Sequence, residues 1–65
     1  MKAGDKVTPP PGEYRYLTPG KPYEVMNVTN ITGIIGFEIK CDEGFTIFTM
    51  PEGSAHLDGK DWIIL

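Results

Sequence analysis

The chain holds one cysteine, Cys41, and one histidine, His56. Together they are the only residues that could form a thiolate nucleophile with an imidazole base. Such a pair needs hydrogen-bond reach and a third group that orients the base. Cys41, however, ends an alternating run, Ile35-Gly36-Phe37-Glu38-Ile39-Lys40-Cys41, on the side that carries the apolar residues. A lone cysteine at such a position reads as a small buried hydrophobe. Paired carboxylates occur at Asp42-Glu43 and at Asp58 and Asp61. Both sets fall in turn sequence, where such residues serve the turn and stay solvated. Cys41, His56, Asp58 and Asp61 are the candidate metal ligands, but no C-x-x-C or H-x₃-H spacing joins them. Gly33-Ile34-Ile35-Gly36 lacks the lysine and the following helix of a phosphate loop. The reading is a non-catalytic chain, with no metal and no cofactor expected.

Binding chemistry has better candidates. Pro9-Pro10-Pro11 is followed closely by Tyr14 and Tyr16. Tyrosine offers broad contact area at low entropy cost, with a polar tip for orientation. Pro10, Pro11, Tyr14, Tyr16 and Phe48 are therefore the predicted partner-binding residues, for a protein or peptide. The competing reading makes Tyr14 and Tyr16 a roof over one open end of the fold. A nucleic-acid role would gather Lys2, Lys6 and Lys60 and stack bases on Tyr14, Tyr16 and Phe48. Against it, acidic residues interleave and the net charge is −3, where phosphate binding runs on clustered Lys and Arg. Outward Phe48, Met50 and Ile63 suggest a third role, a self-associating structural component or homo-oligomer.

These residues need elements to hold them. Eight glycines and six prolines punctuate 65 residues, and the longest stretch free of both is Tyr23 to Thr32. An average helix needs about eleven or twelve residues, so no substantial helix is expected. One domain over 1–65, with one small core, is all that this length supports. Asp5–Thr8 reads as the first strand, ended by the prolines, which cannot sit in a central strand. Thr18-Pro19-Gly20-Lys21 has the type II turn pattern. Tyr23–Val28 is the second strand, with alternation broken near Met26 by a bulge or twist. Thr29–Gly33 is a polar connection. Ile34–Cys41 is the third strand, with Ile35, Phe37, Ile39 and Cys41 on one face. Asp42-Glu43-Gly44 turns into Phe45–Met50, where Phe45 and Ile47 should face the core. Pro51–Gly59 should hold a tight or 3₁₀ turn that carries Leu57 inward. Trp62–Leu65 is the last strand. Five short strands between turn signals predict an all-β, small five-stranded SH3-like barrel.

The segment Tyr16-Leu17-Thr18-Pro19-Gly20-Lys21-Pro22-Tyr23-Glu24-Val25 resembles the "YLTxGKxYEV" signature of small uncharacterised phage and prophage proteins with SH3-like barrels. His56-Leu57-Asp58-Gly59-Lys60-Asp61-Trp62 is similar to their "HLxGxxW" closing segment. With Phe37–Gly44 the likeness spans most of Lys6 to Leu65. The resemblance implies the barrel fold and a phage or prophage source; it carries no activity to transfer. Pro9–Pro11 departs from the usual first loop of that group. No membrane-spanning run and no leader sequence is visible, so the expected location is the cytoplasm. The two Asn-x-Thr sequons at Asn27 and Asn30 then read as chance matches.

Overall fold

A computed structural model describes residues 1–65. It is all-β, with six strands in place of the five expected. In chain order they are β1 (Lys6–Thr8), β2 (Tyr23–Glu24), β3 (Asn27–Ile31), β4 (Ile34–Lys40), β5 (Thr46–Thr49) and β6 (Ile63–Ile64). They form two antiparallel three-stranded sheets, ordered β2-β1-β6 and β3-β4-β5. No ladder of hydrogen bonds joins the sheets, so the closed barrel is not formed. The expected second strand is where the count changes. Val25 still bonds to the first strand segment, through its amide to Asp5 O at 2.8 Å and its carbonyl from Gly4 N at 2.7 Å. The next residue, Met26, donates to Glu38 O of β4 at 2.9 Å. The chain therefore changes sheets between Val25 and Met26. Asn27 is also registered opposite Glu38. Two residues thus face one, the count of a β-bulge, at the place where the sequence breaks alternation.

The polar connection expected at Thr29–Gly33 is mostly strand. Thr29, Asn30 and Ile31 extend β3, and only Thr32 and Gly33 make the turn. Both have positive φ, 55° and 80°, the pattern of a type I′ hairpin. The other turns fall where the sequence places them. Lys21 N donates to Thr18 O across Gly20, whose φ is 84°. Gly44 N donates to Cys41 O in the β4–β5 connection. A 3₁₀ turn, η1 (Ala55–Leu57), carries Leu57 fully inward. The last strand is shorter than Trp62–Leu65, but Leu65 N is tied to Lys6 O at 3.0 Å.

The core lies between the sheets. It contains Val7, Leu17, Tyr23, Val25, Phe37, Ile39, Cys41, Ile47, Leu57 and Trp62. Two expected core residues are exposed. Ile35 sits toward the hairpin tip, beyond the reach of the second sheet, and Phe45 lies at the edge, where it meets Tyr16. Trp62 spans the core, edge-on to Tyr23 of β2 and to Phe37 of β4, with ring centroids 6.2 and 5.7 Å away. Its indole N–H donates to Thr49 Oγ1 at 3.2 Å, and that hydroxyl is also bonded to Ser54 Oγ. These buried polar atoms satisfy one another, as burial requires.

Candidate functional site

The first loop is held from within. Pro9 is buried at the end of β1, and Pro10 and Pro11 carry the chain outward. The Tyr14 hydroxyl turns back and donates to Pro10 O at 2.9 Å, with Pro11 O at 3.4 Å. Lys60 Nζ reaches Pro11 O at 3.4 Å and lies 5.6 Å from the Tyr14 ring centroid. Gly12 allows this closure, because a Cβ there would come within 2.8 Å of Tyr14 Oη. Tyr16 stands edge-on to Phe45 at 5.1 Å, with the Arg15 guanidinium 5.4 Å from its ring centroid. Both tyrosines are half-buried and pack on the core. Each thus roofs the core with one side of the ring and leaves the other side open.

The open sides border a groove of about 260 Å³ between the first loop and η1. Glu13, Tyr14, Arg15, Tyr16, Ile47, His56 and Asp58 are among the residues that line it. The groove brings Tyr14 and Tyr16 together with residues that sequence spacing gave no reason to group with them. His56 is fixed at its margin by a hydrogen bond between Nε2 and Phe48 O at 3.2 Å. The other predicted residues lie elsewhere. Pro11 borders a separate apolar depression with Thr8, Pro9, Pro19, Gly20 and Ile63. The Phe48 side chain projects from the face of β5 opposite Ile47. Its ring covers Gly36, where a Cβ would sit 2.1 Å from Cζ, so Phe48 fills the gap that glycine leaves in the outer sheet face. Cys41 is buried in the core with its amide on Phe45 O. No three of the His, Cys, Asp and Glu side chains converge as a metal site would need.

Beside the groove lies a polar constellation that the sequence reading did not assemble. Asp42 Oδ1 accepts from Lys21 Nζ at 2.6 Å and from the Tyr23 hydroxyl at 2.8 Å. Its Oδ2 accepts from Thr18 Oγ1 at 2.7 Å, and its amide donates to Tyr16 O at 2.9 Å. Tyr23 Oη in turn accepts from Thr18 N at 2.7 Å. Donation by Lys21 and Thr18 holds the Asp42 carboxyl down at about 2, from 3.8. The same bond raises Lys21, while burial is the main cause that raises Tyr23. This is a latch that fixes the start of the Tyr16–Tyr23 segment to the β4–β5 turn. Thr18, Lys21 and Tyr23 all belong to the quoted signature, so three of the motif's polar side chains share one acceptor. The available signal was the i, i+3, i+5 spacing of three donors around a turn; the acceptor's distance along the chain hid the rest.

Two of the three lysines offered for nucleic acid, Lys6 and Lys60, have side-chain partners within the chain. Lys6 Nζ pairs with Glu24 at 3.3 Å, and Lys60 is held over Tyr14. No helix of the chain is long and apolar enough to cross a membrane. The chain matches no family model, no curated protein and no solved structure.

Proposed function

We infer that the chain is a non-catalytic binding module of the SH3-like plan, of the kind carried by phages and prophages, that takes a protein or peptide partner. Support for the plan is the order of its parts: a long first loop, consecutive antiparallel hairpins, a 3₁₀ turn and a short last strand. The groove between Tyr14, Tyr16 and η1 carries the functional reading. It combines two amphipathic rings braced from behind with a margin of mixed charge, Glu13 and Asp58 beside Arg15. Bracing matters because a preformed aromatic wall loses little freedom on binding. Such a groove suits a short segment with an apolar anchor flanked by polar or charged residues.

The test is selection of peptides from a random library on the purified protein, followed by amide chemical-shift mapping with the winning sequence. Shifts should cluster at Tyr14, Tyr16 and His56, and Tyr16→Ala should weaken binding about tenfold or more while the chain stays folded. Perturbations confined to the far face of β3-β4-β5 would overturn the assignment. Failure of Tyr16→Ala to fold would make that ring core and remove the proposed wall.

A further inference from the structure

Two three-stranded sheets leave four edges, and three of them are protected. The β2 edge is two residues long and follows Pro22; the β6 edge is also two residues long. The β5 edge is covered by η1 and the residue before it, through His56 on Phe48 O and Ser54 on Thr49. Short edges, proline and a covering element are the usual devices against strand addition. The fourth edge, β3, has none of them. Asn27-Val28-Thr29-Asn30-Ile31 contains no charge and no proline, and all but Val28 are exposed. Its backbone pairs only with β4.

The register shows which groups face outward. The two-residue turn makes Ile31↔Ile34 the closing hydrogen-bonded pair, and alternation makes Thr29↔Gly36 the next. Val28 and Asn30 therefore direct their amides and carbonyls away from β4. None of the turn, loop and cap hydrogen bonds uses them. This edge offers two donors and two acceptors, arranged symmetrically about Thr29. A strand that presents the mirror order, read antiparallel, satisfies all four groups. A second copy of β3 is such a strand.

We propose that β3 is a self-pairing edge, and that two copies of the chain join through it about a two-fold axis at Thr29. Val28 pairs with Asn30 of the second copy, and Asn30 with its Val28, giving four backbone hydrogen bonds. Thr29 faces its own counterpart in a close pair, with Cα atoms about 4.5 Å apart. The two β3-β4-β5 sheets become one sheet of six strands. Electrostatics select this edge. Each chain carries a net charge of −3, so copies repel generally, yet β3 is uncharged. The nearest carboxylate on that sheet face, Glu38, is tied down by Asn27 Nδ2 at 3.2 Å. Ile31 and Ile34, 71% and 63% exposed, flank the junction and lose water contact beside it. A five-residue edge is only about 17 Å long, short of a standard interface. The association is accordingly weak and concentration-dependent. This inference is independent of the groove, which lies on another side of β5.

Sedimentation of the intact chain from about 10 μM to 1 mM tests it, with a charge exchange at the axis. The wild type should pass from the 7.2 kDa species toward twice that mass. Thr29→Lys and Thr29→Glu each place like charges opposite one another and should weaken association at least tenfold alone. Mixed in equal amounts, they should restore it. Thr29 is exposed, so both variants should keep the wild-type amide spectrum away from β3. A wild type that stays monomeric at 1 mM overturns the proposal. So does failure of the mixture to recover, or an edge that takes up only an unrelated extended peptide while the chain stays single.

Discussion

At the scale of single residues, Asp42 has the largest consequences outside the apolar core. One carboxylate gathers donors from Thr18, Lys21 and Tyr23. Its folded value of about 2 lies below the ordinary 3.8. Above about pH 4 the carboxylate is charged in folded and unfolded chains alike, and the latch contributes fully. As the pH falls toward 2, the unfolded chain takes up the proton first and that contribution is lost. Asp42→Asn keeps the shape and removes the charge. It should cost about 1 kcal/mol at pH 7, the modest figure suited to a partly exposed cluster. It should also remove part of the acid sensitivity between pH 4 and 2. Urea unfolding of both proteins at pH 7 and pH 2.5 measures this. Equal acid losses in the two proteins would mean that the latch does not stabilise the fold. Tyr23 adds an alkaline limb with the opposite sense. Its raised value keeps the phenol neutral in the fold, so its stabilisation is present below pH 10 and declines above it.

Among the elements, the β3–β4 hairpin carries an avoidable cost. Thr32 is β-branched and sits at φ 55°, a left-handed conformation that costs an ordinary residue about 1 kcal/mol or more. Asn30 Oδ1 repays part of it by accepting from Gly33 N at 3.1 Å. Thr32→Asn creates Asn-Gly, the preferred type I′ pair. It should stabilise the chain by about 0.5–1 kcal/mol in thermal or urea unfolding, and a destabilised variant would mean that Thr32 makes a compensating contact. The same hairpin shows what the sequence could and could not reveal. Glycine and proline marked the turns at Gly20, Gly44 and η1 correctly, because positive φ and missing amides are local demands. Thr29–Ile31, the second half of β3, reads as a connection because solvent bathes these residues, which erases alternation. The passage of Val25–Met26 from one sheet to the other is a change of partner, which is long-range. Its one local trace was the broken alternation at Met26. Asp42 is legible as a turn carboxylate, but its donors Thr18, Lys21 and Tyr23 are equally long-range. Tyr14 and Tyr16 were legible as a pair, whereas η1 came to face them only through the fold.

In the whole molecule, side chains do what a closed ladder would otherwise do. With no ladder of backbone hydrogen bonds between β2-β1-β6 and β3-β4-β5, the sheets are held together across the core. Neither sheet, with strands as short as two residues in the first, is large enough to persist alone. Trp62 is the main link, touching Tyr23 in one sheet and Phe37 in the other and donating to Thr49. A chain of this length has total stability of about 3–10 kcal/mol. Truncating a buried tryptophan costs about 3–5 kcal/mol, and here it also removes the donor to Thr49. Trp62→Ala should therefore abolish the cooperative transition at 25 °C, leaving a broad, probe-dependent change in circular dichroism. Trp62→Phe, which keeps the edge-on contacts and loses the N–H, should still unfold cooperatively at a lower midpoint. In the wild type, Trp62 fluorescence and far-ultraviolet circular dichroism should trace one common curve, because the ring reports on both sheets at once. Two separated transitions, or a Trp62→Ala chain that still melts sharply near the wild-type midpoint, would show that the sheets are coupled through other residues.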